Sequence, residues 1–284
     1  MTQIELPYRN PYPIAPVFSF LAARAVDGLE RVEATTYRRT VRIGSEHGVV
    51  EIAADEQRAV FSVTTLGRKT HSHVVERCRA MFDLDADPVA ISDALTTTPE
   101  LAAVVRAVPG RRVVGSLDGF EMVIRALLGQ QVSVAGARTV LGRLVARFGD
   151  PVRGGPGLTR AFPEPARLAE ESLEEVRVPG IRRQAIRAVS RAVADGSLDL
   201  SPTSDRNEVR ERLTSIPGIG PWTAAYVSMR ALRDPDVFMA TDLGVRKGAE
   251  RLGLPASARD LSRVAESWRP WRSYATQYLW AAAA

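Results

Sequence analysis

A change of hydrophobic period close to Asp87-Pro88 constrains this chain more than any other feature. Before it, from about Leu29 to Thr65, short runs at Glu33 to Ile43, Gly48 to Ala53 and Ala59 to Thr64 are separated by the turn-like Gly44-Ser45-Glu46-His47-Gly48 and Asp55-Glu56. Such spacing predicts an antiparallel meander. Two helical patterns flank it, Phe18 to Val26 and Thr70 to Phe82, with apolar residues every three to four positions. After Asp87-Pro88 the pattern is helical almost throughout: near Leu101 to Ala107, Gly119 to Leu128, Val134 to Phe148, Ile181 to Ala194, Glu208 to Thr214, Ala224 to Leu232, Gly244 to Leu252 and Leu261 to Trp268, with a last apolar segment beyond Pro270. The expected fold is therefore an α+β N-terminal domain over residues 1–88, an antiparallel sheet with helices, followed by a mostly α-helical core over 89–284. The stretch Asp150 to Gly157 is read as an exposed loop between helices.

Composition narrows the function classes. The chain has 284 residues, 45% of them hydrophobic and 25% charged, which suits a packed, soluble protein. No run approaches the roughly 18 apolar residues of a membrane span, and the N-terminus has no basic patch followed by an apolar core. A cytoplasmic monomer with no membrane partner is expected. The single cysteine, Cys78, excludes an intramolecular disulfide and any four-cysteine zinc or iron–sulfur site; it reads as a buried thiol. His47, His71 and His73 all lie in the first third, and no deaminase-type zinc signature accompanies them, so neither a catalytic metal nor a cofactor is expected. A formal charge of +5 favours a polyanionic partner. Of the 38 basic residues only Lys69 and Lys247 are lysine.

The most informative stretch is Leu213 to Ala224, in which Ile216-Pro217-Gly218-Ile219-Gly220 forms a tight turn between two short helices. Gly218 and Gly220 allow backbone angles closed to other residues and leave amides bare at a helix start. Partial positive charge there suits a DNA phosphate, bound without side-chain specificity. An ordinary helix–turn–helix with a glycine stop and Pro221 at a helix start reads the same residues equally well. Asp242 follows Trp222 by 20 residues, after a helix and a return segment long enough to bring it back beside the turn. Taken alone, Asp242 is either a cap for the helix beginning near Gly244 or an acid aimed at the hairpin.

Leu213 to Ala224 followed by Asp242 resembles the helix-hairpin-helix glycosylase superfamily, and the wider chain resembles the bacterial DNA-3-methyladenine glycosylase II family, the AlkA type. Phe18-Ser19-Phe20-Leu21-Ala22-Ala23-Arg24-Ala25-Val26, Ala126-Leu127-Leu128-Gly129-Gln130-Gln131-Val132-Ser133-Val134-Ala135 and Trp268-Arg269-Pro270-Trp271-Arg272-Ser273-Tyr274-Ala275 carry the same likeness, in the family's order and end to end. The resemblance implies that the helical core divides into about 116–232, with the hairpin, and 89–115 plus 233–284, with a cleft between them. It also implies a monofunctional glycosylase that takes alkylated bases from double-stranded DNA, with Asp242 catalytic and Gly218, Ile219 and Gly220 as the phosphate-binding hairpin. A base methylated on a ring nitrogen is already cationic; a carboxylate stabilises the positive sugar left behind, or orients the attacking water.

An enzyme working on a base in a duplex must flip it out. The resemblance places Gln131 in the resulting gap, where many relatives carry a larger apolar residue. It places Phe20, Trp222, Tyr226 and Trp280 in the base pocket, where cation–π attraction would favour alkylated bases. Trp268, Trp271 and Tyr274 read as core. Arg24 is either a cleft residue or a structural salt bridge, and Arg246, Lys247 and Arg272 are either phosphate contacts or a solvated basic face. Where lyase-active members carry a lysine, this chain has Trp222, so no amine is expected to attack the sugar. The rival readings are a non-catalytic hairpin protein that detects damage, a glycosylase for deaminated or oxidised bases, and a bifunctional lyase.

Overall fold

A computed structural model describes residues 3–43, 46–66 and 72–284. Lys69 and His71 lie outside the described residues, as do Gly44 and Ser45. Five strands form one antiparallel sheet: β1 (Gln3–Pro7), β2 (Glu30–Glu33), β3 (Thr36–Ile43), β4 (Glu46–Asp55) and β5 (Val60–Leu66), in the order β1-β5-β4-β3-β2. The expected meander is present as β2 to β5. Two details differ from expectation. Glu46 and His47, expected in a turn, belong to β4, with Glu46 opposite Ile43 and His47 opposite Arg42. The run from Glu33 is two strands, broken where Ala34 takes a left-handed φ of 48°. The unexpected β1 pairs with β5 and ends at Pro7, a residue that an edge strand tolerates because no ladder amide is needed there.

Alternation places Phe61, Val63 and Thr65 of β5 inward. They meet an aromatic cluster in which Phe61 and Phe82 lie 4.8 Å apart, with Phe18 and Tyr12 around them. The helices α1 (Ile14–Arg24) and α2 (Ser72–Met81) cover this core. Cys78 is fully buried in it, and burial pushes its thiol up to about 12, which leaves it inert.

Asp87-Pro88 is a helix start as well as a change of pattern. The Asp87 carboxylate accepts from the Val89 and Ala90 amides, Pro88 occupies the first helical position, and α3 (Pro88–Leu95) follows. The remaining helices are α4 (Pro99–Ala107), α5 (Gly119–Leu128), α6 (Val134–Phe148), α7 (Pro165–Glu170), α8 (Gly180–Ala194), α9 (Arg206–Thr214), α10 (Pro221–Arg230), α11 (Leu243–Arg251), α12 (Ala258–Ala265) and α13 (Arg272–Ala283). The short α3 and α7 are not legible from periodicity, because each gives barely two turns.

Two further cores hold the helices. One gathers α5, α6, α8 and α10; the other gathers α3, α4, α11 and α13 around Trp268, whose indole donates to Thr98 Oγ1 at 2.8 Å. Trp268 and Tyr274 are buried there, as core readings require. In this second core α11 and α13 cross at Gly248, where a Cβ would come within 1.8 Å of the Leu279 carbonyl oxygen. The loop at 150–157 is largely exposed but anchored: Asp150 pairs with Arg42 and Arg167, and Leu158 bridges to Gly28.

A buried ionic cluster joins sheet to helix. Arg39 of β3 reaches Glu121 of α5 at 2.5 Å, Arg125 bonds both Glu121 and Glu30, and Tyr37 donates to Glu30 at 2.6 Å. Burial opposes the charge on Glu121, yet the guanidinium groups of Arg39 and Arg125 outweigh it and hold this carboxyl well below the usual carboxylate range. Among the described residues no helix is long and apolar enough to cross a membrane.

Candidate active site

A cleft of about 550 Å³ opens between α1, α5, α10 and α13, with Phe20, Arg24, Trp222, Tyr226, Arg230, Asp242 and Trp280 on its walls. The four rings expected to form a base pocket and the acid expected beside them thus face one cavity, although they are drawn from positions as distant as 20 and 280.

Asp242 is both the helix cap and the cleft acid. Its Oδ1 accepts from the Val245 amide at 2.9 Å, capping α11, and also from Trp280 Nε1 at 2.7 Å; its Oδ2 accepts from Trp222 Nε1 at 2.8 Å. Three donors therefore pin a group with about four acceptor positions, leaving one direction on Oδ2 free. The side chain cannot rotate without breaking all three bonds. Trp222 and Tyr226, one helical turn apart on α10, stack at 5.4 Å with planes 10° apart, and Trp280 tilts against Tyr226 at 6.2 Å.

Arg230 is a wall residue that sequence reasoning misses, though it continues the Trp222–Tyr226 face by one more turn. It is 2% exposed, and its guanidinium carbon lies 4.5 Å from the Phe20 ring, 5.1 Å from Tyr226 and 5.5 Å from Trp280. Its two terminal nitrogens donate to the Val114 carbonyl and to Gln277 Oε1, while Nε has no partner. Arg24 sits 3.9 Å from the same Phe20 ring and donates to the Phe20 carbonyl. Among the described residues neither arginine meets a carboxylate, so the salt bridge considered for Arg24 is absent. Burial lowers the Arg24 pKa from its ordinary value; the Tyr226 hydroxyl opposes this and the charge on Arg230 adds to it.

The hairpin joins α9 to α10. Gly218 has φ +94°, in the left-handed region that glycine favours, and the Ile219 amide closes the turn on the Ile216 carbonyl at 3.0 Å. Two expectations need correcting here. Gly220 has φ −92°, open to any residue, so it is not a conformational glycine. The Ile219 amide is spent inside the turn and its side chain is buried, leaving this residue as the hairpin's anchor. Gly220 caps α10 with no side chain, and a Cβ there would meet nothing within 4 Å, so no neighbour within the protein demands its smallness.

Gln131 follows α5, exposed and in a left-handed conformation with φ 58°. Its neighbour Gln130 ties that turn to the hairpin: Nε2 donates to the Gly218 carbonyl at 3.0 Å and to Thr223 Oγ1 at 2.9 Å, and Arg182 donates to the Gln130 carbonyl at 2.9 Å. Arg246 and Lys247 are exposed, but Arg272 is committed to Asp236 and Glu266 and does not belong to an open basic face. No lysine lines the cleft among the described residues.

Family models match nearly the whole chain: an AlkA N-terminal domain over residues 3–118 and the HhH-GPD superfamily base excision DNA repair protein over 124–273. The chain belongs to the HhH-GPD superfamily. Within it, a probable bifunctional transcriptional activator/DNA repair enzyme AlkA of Mycobacterium tuberculosis is 44% identical over 98% of this chain and 56% of its own length. DNA-3-methyladenine glycosylase 2 of Escherichia coli is 32% identical over 97% of this chain and 95% of its own. The chain thus spans little more than half of the Mycobacterium relative. A solved 3-methyladenine DNA-glycosylase from Archaeoglobus fulgidus superposes with a TM-score of 0.82 at 25% identity, covering 99% of this chain and 97% of that one. The expected fold, an α+β unit before a helical hairpin-bearing core, is the fold these relatives share.

Proposed function

We propose that this HhH-GPD protein is a monofunctional DNA glycosylase that removes alkylated bases from duplex DNA. The observation that carries the reading is the carboxylate of Asp242, immobilised by two indoles in an aromatic cleft. The names of the Escherichia coli and Archaeoglobus relatives support the substrate class.

A backbone phosphate docks on the uncapped first turn of α10, beside Gly218 and against the bare surface of Gly220. Gln131 enters the stack, held in register with that phosphate by the Gln130 strut. The flipped base enters between Phe20, Trp222, Tyr226 and Trp280. As the C1′–N bond breaks, positive charge grows on the sugar, and the fixed negative charge of Asp242 stabilises it. Three of its acceptor positions are already occupied, so Asp242 acts chiefly as a pre-oriented charge, with its one free direction available to a water. Trp222 stands where a lyase carries its amine, so the product is an abasic site in an uncut strand.

The test is release of free base from a duplex carrying 3-methyladenine or 7-methylguanine, with Asp242→Asn as control. Release by the native protein, lost in the variant while duplex binding persists, is the expected result. Binding without release by the native protein would mean a damage-detecting protein instead. Borohydride trapping on the same duplex should give no covalent adduct; an adduct would overturn the monofunctional part.

A further inference from the structure

Among the described residues five large apolar side chains are exposed: Val89, Val132, Val134, Ile181 and Leu243. One exposed valine or leucine is ordinary on a protein surface. Their placement is not, because four of the five belong to one connected rim around the cleft mouth. Val132 and Val134 follow Gln131 and line the cleft. Ile181, in the first turn of α8, is 52% exposed and yet touches the hairpin: its carbonyl oxygen and Cγ1 would lie 3.2 and 3.4 Å from a Cβ on Gly218. The next residue, Arg182, donates to the Gln130 carbonyl at 2.9 Å, which ties this helix start to the turn that carries Gln131. Leu243, 63% exposed, opens α11 directly after Asp242. Val89 is the exception, on α3 beside the Arg9–Asp87 ion pair.

A strand laid across this mouth presents two chemistries in alternation. Its phosphates are anions, and its deoxyribose rings are largely C–H surface. The uncapped start of α10 suits the phosphates; the four apolar side chains offer a phosphate nothing and suit the sugars. We propose that Val132, Val134, Ile181 and Leu243 form an apolar rim that packs on the deoxyribose rings on both sides of the flipped nucleotide. This rests on the glycosylase reading above. Covering the sugars removes water from the mouth, and the gain, about 25 cal/mol per Å² of apolar area, does not depend on counterions. Phosphate contacts release counterions and weaken steeply as salt rises. The rim therefore keeps the strand seated at ionic strengths where the hairpin and the exposed basic residues hold it least.

The experiment follows the fluorescence anisotropy of a duplex carrying a tetrahydrofuran abasic analogue, titrated with the whole protein at about 50 to 200 mM salt. Ile181→Ser and Leu243→Ser are each expected to lower affinity about three- to tenfold, and the pair about tenfold or more, at every salt concentration. The slope of log affinity against log salt should stay within about 0.5 of the native value, whereas each lost phosphate contact would change it by about 0.9. Val89→Ser should bind as the native protein does. A double variant binding within about twofold of native, a slope change of about one or more, or equal weakening by Val89→Ser would each overturn the proposal.

The native protein gives a second measurement that needs no variant to fold. Ribonucleotides on either side of the abasic analogue set a hydroxyl against the rim and should weaken binding about tenfold. Nucleotides carrying 2′-fluorine share the ribose pucker without the hydroxyl and should weaken it less than about threefold. Ribonucleotides bound no more weakly than the 2′-fluoro pair would overturn the sugar contact. Base release is scored separately on a 7-methylguanine duplex. Release by the native protein with unchanged binding by the variants overturns the rim alone, and weakened variants without any native release overturn the glycosylase reading alone.

Discussion

Gly248 of α11 lies so close to the Leu279 carbonyl of α13 that a Cβ would come within 1.8 Å of the oxygen. Asp242 caps the start of α11, and Trp280 follows Leu279 directly in α13, so this crossing sets the distance between an indole and the carboxylate it holds. Gly248→Ala forces the two helices apart. It is expected to cost about 1–3 kcal/mol, the range for an overpacked core, and to slow base release beyond what the lost stability explains. Chemical denaturation and single-turnover rates on the same preparation would check both; an unchanged rate at full folding would show that the spacing is not critical.

Trp222→Phe and Trp280→Phe each keep an aromatic wall but remove one donor to Asp242. Each is expected to lower the single-turnover rate roughly a hundredfold by freeing the carboxylate, as small displacements of a reacting group do, with little change in duplex affinity. An affinity loss without a rate loss would mean that the indoles serve the base and not the acid.

The sheet-to-helix ion cluster predicts a pH dependence of stability. Glu121 ionises well below its ordinary range when folded, so its contribution is complete above about pH 5, where the unfolded chain's glutamates are ionised, and is lost as pH falls through the depressed folded value. Glu121→Gln strands Arg39 and Arg125 beside a neutral amide. The variant should be about 3–5 kcal/mol less stable near neutrality, with the deficit shrinking as pH falls below about 4. Urea unfolding across that window decides it; a deficit that stays constant with pH would contradict the assignment.

Gln131→Ala removes the exposed side chain proposed to enter the stack while leaving the Gln130 strut in place. Release from a fully paired duplex should slow about tenfold, and release from a lesion that is already unpaired much less, because extrusion is cheaper there. Equal slowing on both substrates would assign Gln131 to something other than flipping.

Features with a local signature are legible in the sequence. Two glycines and a proline between helices mark the hairpin, and the 20-residue step from Trp222 brings Asp242 back to it. The helices Gly119–Leu128 and Val134–Phe148 are readable to the residue because Asp118 and Ser133 cap them and glycines close them. What stays hidden depends on pairing across the fold. Nothing near Arg230 reveals that Val114 and Gln277 take its donors and that no acid among the described residues reaches it; only its place one turn beyond Tyr226 hints at the cleft. Arg39 likewise looks like any strand arginine until Glu121, 82 residues away, is seen beneath it. From sequence Asp242 can be weighed as a helix cap or as an acid in the cleft, but not as both, since the two indoles that hold it in the cleft are set by tertiary packing.

Phe20 and Arg24 come from α1, on the sheet-bearing part of the chain, while the acid, the indoles and the hairpin come from the helical part. A cut anywhere between α2 and α5, where the sequence pattern changes and the first family model ends, would therefore carry away one wall of the cleft, with Phe20 and Arg24. The helical fragment would keep every residue a motif search would prize and would still be an open trough. The unit that closes this cleft is consequently larger than the hairpin and the aspartate that follows it.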